Sequence, residues 1–484
     1  MTKELRRLSI VMLFMFLSLF AATSWIQVVD AENLAQTSGN TRSLLDSYEI
    51  QRGSIIADGV PIAYSVASDD EYQYQRVYTD SPMWSDVTGY FNPALQSSTG
   101  IENILNADLS GTGASAFFAE LERIVSGQPQ RGFSVELTLD AAAQRAAYDA
   151  LGNLQGAVVA IEPSTGRILA MVSTPGYDAN TLAVHSASEA SEAYDALDAR
   201  RPNPLQNRAT RDVNPPGSTF KVLVAAAAYA TGEWTPESTL PNPARYTLPG
   251  TSTEISNAWG GACGSGTTVS IQEALRLSCN IPMAELAVEL GTSTIFDMAE
   301  AFGFNQTFST PLESVASEYP RAMSSDQTAQ SGYGQGPVTA TALQVALISA
   351  GLANDGVVMN PRLVDAVIGN DLSVIRQYDS SEFGRATEAD VADAVTEGMV
   401  ASVANGAATG ARIDGIDVAG KTGTSENHGN DPYTLWFTGF APADNPQIAV
   451  AVVVENGGGI GQAGTGDTLA APIAKKVIEA VLNK

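Results

Sequence analysis

The sequence predicts a mixed α/β chain of the α+β kind, in which an antiparallel sheet is flanked by helices. Two β-rich runs within residues 156–173 surround a P-S-T-G turn, a pattern typical of a hairpin. Near the other end of the chain, Thr434 to Ala441 and Gln447 to Glu455 are β-rich and surround the turn A-D-N-P. Between the two hairpins the patterns are mainly helical. We therefore expect one sheet with strands from both ends of a long domain.

The N-terminus has the pattern of a membrane anchor. Lys3, Arg6 and Arg7 precede the uncharged stretch 8–29. At about 1.5 Å per residue, a helix of this length spans about 33 Å, enough to cross a bilayer. Positive flanks stay in the cytoplasm. We expect residues 1–7 to be a cytoplasmic tail and 8–29 a retained single-pass transmembrane helix, with the rest of the chain extracytoplasmic. A cleaved signal peptide is the alternative.

Two segments separate this anchor from the long domain that holds both hairpins. Residues 30–45 are polar and are expected to form a juxtamembrane linker. Residues 46–134 contain an A-D-G turn between strand-like flanks and several aromatic residues. They carry no catalytic motif, and we interpret them as a small pedestal or interaction domain. The domain that holds both hairpins is then expected to cover 135–484.

Helices and strands of the domain 135–484 can be predicted in order. Asp140 can cap a helix over 141–151, which Gly152 ends. The strand 418–425 is expected to pair with the hairpin that begins at Thr434. Further helices are expected at 184–199, in the apolar run 222–230, and at 269–277, 280–290, 339–354, 388–404 and 469–482.

Composition excludes several classes of function. The net charge of -27 argues against nucleic acid as a partner, because its phosphates would be repelled. The two histidines, His185 and His428, are too few for a histidine-rich metal site, and we expect no metal and no cofactor. Their number alone does not exclude a Ser-His-Asp triad, although neither lies in a recognisable motif. Cys263 and Cys279 are predicted to form a disulfide in an oxidising compartment; two buried thiols are the alternative.

The stretch from Pro215 to Lys221, P-P-G-S-T-F-K, is the strongest candidate for chemistry. Two prolines and a glycine indicate a sharp turn before the helix. Ser218 would lie in the first helical turn, with Lys221 three residues later on the same face. The helix N-terminus directs backbone N–H groups at the serine. This arrangement suits a serine nucleophile with a lysine base.

Lysine usage supports this interpretation. The chain has six lysines, and between Lys3 and Lys475 only Lys221 and Lys421 occur. All other fixed cations in that range are arginines, which cannot lose a proton in a protein, whereas a desolvated lysine can. An exposed helix lysine is the alternative for Lys221. The chain contains no second S-x-x-K pattern.

Three short motifs occur in order: S-T-F-K at Ser218, S-C-N at Ser278 and K-T-G-T at Lys421. Each is weak alone, but the trio is the signature of penicillin-binding proteins and class A β-lactamases, with cysteine here in place of the central aspartate. The chain resembles class B penicillin-binding proteins, and over nearly its whole length the actinobacterial penicillin-binding protein A group. Supporting residues include Arg52 to Ile55, Tyr64 to Ala67 and Gly332 to Gln335.

The resemblance implies a β-lactamase/transpeptidase-like fold and a peptidoglycan D,D-transpeptidase of septal or polar growth, inhibited by β-lactams. Ser218 would attack the D-Ala-D-Ala donor and form an acyl-enzyme, with Lys221 as base. Ser278 would relay a proton to the departing D-alanine. Asn280 would orient Lys221 and hold the substrate amide. An amine of a second stem peptide would accept the acyl group.

The K-T-G-T motif would bind the end of the donor peptide. Lys421 would attract the substrate carboxylate, and the hydroxyls of Thr422 and Thr424 suit the same group. Gly423 leaves room for a peptide beside the strand. The resemblance also implies an oxyanion hole at the backbone N–H groups of Ser218 and Thr424. Expected partners besides substrate are membrane proteins of cell division or elongation.

Four alternatives remain at this point. A D,D-carboxypeptidase would hydrolyse the same acyl-enzyme. A β-lactamase needs a glutamate that activates water, in an E-x-x-L-N element between the second and third motifs. This chain has the pattern at Glu102, far before Ser218, and we interpret it as a chance match. An inactive scaffold is disfavoured because all motif residues are present. A β-lactam sensor is disfavoured because it would need several membrane helices or a signalling module, and the sequence shows neither. The chain leaves no room for a glycan-polymerising domain before the transpeptidase part, so we expect no glycosyltransferase activity.

Overall fold

The computed structural model describes residues 2–26, 50–70, 72–112, 131–427 and 429–483. The predicted linker 30–45 and the last predicted anchor residues, 27–29, lie outside the described residues. Helix α1 covers Thr2–Ser24, and within it Lys3–Ser24 is apolar and long enough to cross a membrane. It begins before the predicted anchor because the charged residues expected to form a separate tail continue the same helix.

The helices of the described residues follow the predicted order closely. The predicted helix 141–151 has the predicted bounds, and Asp140 accepts hydrogen bonds from Ala142 N and Ala143 N as its N-cap. After α1, the helices are α2 Ser81–Thr88, α3 Gly100–Ile104, α4 Asn106–Leu109, α5 Ala141–Leu151, α6 Ala187–Asp198, α7 Lys221–Ala230, α8 Ile271–Leu277, α9 Ile281–Ala301, α10 Ser325–Ser331, α11 Ala342–Leu352, α12 Ala389–Asn405 and α13 Ala471–Leu482.

Strands form two main sheets and several two-stranded ribbons. In the described residues the strands are β1 Ile55–Ala57, β2 Val60–Ala67, β3 Tyr74–Tyr78, β4 Phe91–Asn92, β5 Ser97–Ser98, β6 Ser134–Leu137, β7 Gly156–Ile161, β8 Ile168–Thr174, β9 Thr239–Pro241, β10 Tyr246–Thr247, β11 Glu254–Ile255, β12 Thr268–Ser270, β13 Val357–Met359, β14 Val364–Ile368, β15 Val374–Gln377, β16 Glu382–Arg385, β17 Ala419–Ser425, β18 Thr434–Ala441 and β19 Ile448–Val454.

The central five-stranded sheet confirms the predicted fold class. Its order is β17-β18-β19-β7-β8, and every neighbouring pair is antiparallel. Both predicted hairpins are present, and β17 pairs with β18 as expected. The sheet therefore joins the two ends of the catalytic domain and leaves β17, which carries Lys421, at one edge.

Helices cover both faces of this sheet. Because side chains alternate along a strand, Val158 and Val450 face the layer formed by α5 and α13, while Val159 and Ala451 face the opposite layer. Helix α7 belongs to that second layer and packs against α9 and α12. Its residues 221–229 are all buried, as expected for a helix that is apolar on all sides. Its N-terminus is thereby held rigidly beside β17.

A second sheet contains strands from both predicted domains. Its order is β15-β14-β6-β1-β2-β3, so the late strands β14 and β15 continue the sheet begun by β1, β2 and β3. Strand β6 pairs in parallel with β1 and antiparallel with β14. The predicted boundary between residues 134 and 135 therefore runs through a sheet. Pairing between segments more than 200 residues apart leaves no local signal in the sequence.

A buried ion-pair network stabilises the N-terminal part. Glu102 is fully buried and accepts hydrogen bonds from Arg52 Nη2 at 2.8 Å and Arg76 Nε at 2.5 Å. Burial raises the pKa of the Glu102 carboxyl, but the two guanidinium charges outweigh burial and hold that pKa below its usual value. The Glu102 pattern that resembles a β-lactamase element thus has a structural role here, in agreement with a chance match.

Candidate active site

Ser218 lies in a tight turn that directly precedes α7. Residues Gly217–Phe220 form a 3₁₀ turn, and the α-helix begins at Lys221. The sequence predicted an α-helical first turn instead. With three residues per turn, a 3₁₀ geometry places residues i and i+3 directly above one another. The turn therefore aligns Ser218 with Lys221 more closely than an α-helix would.

Two glycines allow this turn to approach its neighbours. Gly217 has φ +55°, and a Cβ there would lie 2.5 Å from Ser425 Oγ of β17. Gly334 has φ +71°, and a Cβ there would lie 2.0 Å from the carbonyl oxygen of Gly217. Both positions need glycine for conformation and for space. The G-Y-G-Q-G stretch thus supports the serine turn from one side while β17 flanks it on the other.

Lys221 is fully buried and points at the S-C-N motif. Its Nζ donates to the carbonyl oxygen of Ser278 at 2.7 Å and to Asn280 Oδ1 at 2.8 Å. Ser218 is only half-buried. Its hydroxyl makes no hydrogen bond within the part of the chain that the structure describes. Ser218, the candidate nucleophile, is therefore accessible to a ligand. Lys221, the candidate base, is held in place by the S-C-N motif.

The hydrogen bonds of Lys221 suit a neutral amine. A neutral amine has two hydrogens and one lone pair, and two acceptors already take hydrogens from Nζ. The lone pair is left for a proton from a neighbouring hydroxyl. Burial, followed by the nearby charge of Lys421, lowers the pKa of Lys221 well below its ordinary value. Geometry and electrostatics therefore both favour a base at this position.

Lys421 is the second fully buried lysine of the site. Its Nζ donates to Ser278 Oγ at 2.6 Å and to the carbonyl oxygen of Thr422 at 3.0 Å. Burial lowers the pKa of Lys421 to about 7. Because Ser278 Oγ accepts this bond, its own hydrogen remains available to another group. The three motifs thus meet around one serine, as the sequence predicted that they would converge.

Ser278 adopts a backbone conformation that is rare for serine. With φ 63° and ψ 39° it is left-handed and ends helix α8. For an L-residue this conformation costs roughly 1–2 kcal/mol. It turns the carbonyl oxygen of Ser278 towards Lys221 and its hydroxyl towards Lys421. Strain of this kind is typical of functional sites.

The loop before α8 supports the S-C-N motif. Asn257 is 1% exposed, and its Oδ1 accepts from the backbone N–H groups of Asn280 at 2.7 Å and Ile281 at 3.2 Å. Cys263 and Cys279 are joined in a disulfide with Cα atoms 5.8 Å apart. The sequence indicated the cysteine pair but not Asn257, because an isolated asparagine in a loop-rich region carries no signal.

The K-T-G-T hydroxyls are not equivalent. Thr422 Oγ1 donates to the carbonyl oxygen of Ala407 at 2.8 Å, which uses its one hydrogen. Thr424 Oγ1 instead accepts from Gly466 N at 3.3 Å and keeps its hydrogen for a ligand. In this conformation Thr424 is better prepared than Thr422 to donate to a carboxylate.

Gly423 allows β17 to lie close to its neighbours. A Cβ there would lie 2.9 Å from the carbonyl oxygen of Pro216 and 3.0 Å from Cβ of Trp436.

Asn280 Nδ2 donates to Ser256 O at 3.3 Å, which leaves the second hydrogen of that amide for a substrate.

His185, the histidine within the described residues, does not join this constellation. His185 Nδ1 contacts a carboxylate oxygen of Asp70 in the N-terminal part, and its ring lies against Tyr72. His428 lies outside the described residues. In the described part of the site the groups that could exchange a proton with Ser218 are two lysines and a second serine.

Comparison with known proteins identifies relatives of the whole chain. The penicillin binding protein transpeptidase domain family matches residues 156–479, and the penicillin binding protein A dimerisation domain family matches 52–135. The peptidoglycan D,D-transpeptidase PbpA of Mycolicibacterium smegmatis is 40% identical, with all of both chains covered. PbpA of Mycobacterium tuberculosis is 39% identical and covers all of this chain and 99% of its own.

Solved structures give the same relationship. The ceftriaxone acyl-enzyme complex of penicillin-binding protein A from M. tuberculosis superposes with a TM-score of 0.87 at 39% identity. It covers 90% of this chain and 100% of its own. The penicillin G acyl-enzyme complex of the same relative superposes with a TM-score of 0.85 at 38% identity and the same coverage.

Proposed function

Because this chain belongs to the penicillin-binding protein transpeptidase family, we propose that it is a peptidoglycan D,D-transpeptidase that acts through an acyl-enzyme on Ser218. The observation that carries the proposal is the position of Ser278, whose carbonyl oxygen and hydroxyl bind the two buried lysines. The reaction cross-links stem peptides in cell-wall synthesis and cell division, and β-lactams inhibit it. The M. tuberculosis relatives seen as β-lactam acyl-enzymes support this assignment.

Acylation begins when neutral Lys221 takes the proton of Ser218. The serine oxygen then attacks the carbonyl carbon between the two D-alanines of the donor. The developing oxyanion is stabilised by the backbone N–H groups of Ser218 and Thr424. The first of these lies in a helical first turn, where N–H groups lack helical acceptors. Donors of this kind typically contribute about 10²–10³ in rate.

The leaving D-alanine receives its proton through Ser278. The Ser278 hydroxyl accepts from Lys421 and is therefore free to donate to the departing nitrogen. Its lost proton is replaced from the protonated amine of Lys221, on the other side of the same pocket. Thr424 and the charge of Lys421 hold the donor carboxylate. The products are free D-alanine and an ester between Ser218 and the penultimate D-alanine.

Transfer to an acceptor completes the cycle. The amine of a second stem peptide attacks the ester carbonyl and loses a proton to Lys221, and Ser218 leaves as an alcohol after taking that proton back. A β-lactam presents a strained amide to the same groups and remains attached as a long-lived acyl-enzyme. Hydrolysis of the ester would instead make the protein a D,D-carboxypeptidase.

The chain is membrane-anchored through α1. We propose that its positive N-terminal end faces the cytoplasm and that both later parts are extracytoplasmic. Residues 52–135 match a dimerisation-domain family and offer a surface for other membrane proteins of division or elongation. We further propose that the chain lacks glycosyltransferase activity. Glycan polymerised from lipid II by the purified chain would contradict that last point.

The test of the function uses a fluorescent penicillin and a donor–acceptor pair. The unmodified full-length chain should be labelled, and Ser218→Ala should not be. With a D-Ala-D-Ala donor and an amine acceptor, mass spectrometry should detect the cross-linked product as well as free D-alanine. Labelling of the alanine variant would exclude Ser218 as the nucleophile. Hydrolysed donor without transfer product would favour a carboxypeptidase, and rapid turnover of a chromogenic cephalosporin a β-lactamase.

A further inference from the structure

Beyond the serine turn, β17 ends and the chain continues to an acidic residue that the mechanism does not use. Lys421 lies near the start of the strand, and the serine turn contacts its end, because Gly217 abuts Ser425. A donor whose carboxylate lies near Lys421 and whose carbonyl lies at Ser218 must continue past Ser425. The next residue of the chain is Glu426.

We propose that Glu426 is a specificity residue that binds the side-chain amine of the diamino acid preceding D-Ala-D-Ala in the donor stem peptide. This inference rests on the proposed transpeptidase function, because that function sets the direction of the donor. A strand-like peptide advances about 3.3 Å per residue. One D-alanine separates the scissile carbonyl from the diamino acid, which therefore lies opposite the first residues after Ser425.

The backbone of Glu426 is held in place across the cleft. In the amide orientation that satisfies both groups, Gln335 accepts from Glu426 N at 2.9 Å and donates to Glu426 O at 3.3 Å. Gln335 belongs to the stretch whose Gly334 supports the serine turn. The backbone of Glu426 is therefore bonded to the same stretch that supports the serine turn.

The Glu426 carboxylate is available to a ligand. Glu426 is exposed, and within the described residues its side chain forms no ion pair or hydrogen bond. Tyr333, from the same stretch as Gln335, is near enough that the Glu426 charge contributes to its titration. Burial, followed by the Glu426 charge, raises the pKa of Tyr333 to about 12. An exposed carboxylate that forms no ion pair within the described residues can pair with the ammonium group of a ligand.

A polar cavity of about 880 Å³ lies next to Glu426 in the chain, because Asn427 lines it together with Asn214, Asp431 and Thr434.

The test compares three donor peptides that share one sequence and differ only in the state of the lysine side-chain amine. The probe is Nα-acetyl-L-Lys-D-Ala-D-Ala with its side-chain amine free, acetylated or succinylated, and release of D-alanine by the full-length chain in detergent gives kcat/KM. We expect the free amine to be preferred about fivefold over the acetylated form, the scale of an exposed ion pair. Glu426→Gln should reduce this ratio to about one, and Glu426→Lys should favour the succinylated donor.

The matched control is Asp444→Asn, which removes one exposed carboxylate from the turn at the opposite end of the sheet. It should keep the fivefold preference, and so should the conservative Glu426→Asp. Equal use of the free and acetylated donors by the unmodified chain, or a preference that survives in Glu426→Gln, would overturn the subsite while leaving the transpeptidase assignment intact. No D-alanine release from any of the three would contradict both.

Discussion

Lys421 Nζ donates a 2.6 Å hydrogen bond to Ser278 Oγ, deep in a pocket where both lysines are fully buried. The carbonyl oxygen of the same serine binds Lys221. Two amines so close together disfavour a second positive charge. One lysine can stay protonated for the donor carboxylate while the other is neutral and ready to act as a base.

The first prediction separates the two lysines by arginine substitution. Lys221→Arg keeps a cation but cannot accept a proton, so acylation by penicillin should fall by about 10²–10⁴-fold, the usual contribution of a general base. Lys421→Arg keeps the charge that this position supplies and should lose about tenfold or less. Stopped-flow fluorescence with a fluorescent penicillin measures both rates. Equal losses would contradict the assignment of the base to Lys221.

The second prediction concerns pH. Lys221 must be neutral, so acylation should fall as pH decreases through its lowered pKa. Lys421 must be charged, and with a pKa of about 7 it loses its proton as pH rises, so the rate should also fall above about pH 7. The acylation rate constant from pH 5 to 9 gives the profile. Lys421→Arg should lose the alkaline limb, and a limb that persists in this variant would assign it to another group.

The third prediction tests the support of the S-C-N motif. Asn257→Ala removes the acceptor for two backbone N–H groups, those of Asn280 and Ile281. Leaving buried donors without partners costs about 1–3 kcal/mol each, so we expect a loss of stability of about 2–4 kcal/mol and slower acylation. Asn257→Asp keeps the acceptor and should recover part of both. Thermal unfolding and penicillin labelling measure the effects.

Its control is Asn445→Ala, in the exposed turn between β18 and β19, which should change stability by less than about 0.5 kcal/mol. An Asn257→Ala chain as stable and as fast as the unmodified protein would show that the loop is not required to position Asn280.

The fourth prediction concerns the buried ion pairs of the N-terminal part. Glu102→Gln leaves Arg52 and Arg76 buried without a counter-charge, which should destabilise the fold by about 3–5 kcal/mol. The exposed pair between Arg245 and Glu254 is the control, and Glu254→Gln should cost less than about 1 kcal/mol. Thermal midpoints of the two variants give the comparison. Similar small shifts in both would mean that the network is not a stabilising element.

Much of the site followed from short-range sequence patterns. Ser218 and Lys221 could be paired because three residues in a helical turn fix their spacing, and the β17 strand followed from β-rich runs near Lys421. The 3₁₀ turn could not be predicted, because contacts of Gly217 with Ser425 and Gly334 impose it. The left-handed conformation of Ser278 likewise depends on tertiary bonds to both lysines.

Features set by distant pairing could not be predicted. Asn257 acts through one side chain in a loop, and nothing in its sequence neighbourhood distinguishes it from other asparagines. The commitment of the Thr422 hydroxyl to Ala407 depends on where α12 ends relative to β17. The sheet formed by β6 and β14 joins residues that only folding brings together.

That shared sheet has a practical consequence for anyone who wishes to prepare the catalytic half alone. A shortened chain that starts at Gly156 would lack β6. The backbone N–H and C=O groups along one side of β14 would then have no hydrogen-bond partners. An exposed, unpaired sheet edge of this kind promotes aggregation between copies of the chain. Soluble preparations should therefore begin on the N-terminal side of Arg52. This start keeps β6 and the first strands of the sheet, so that the edge of β14 stays paired.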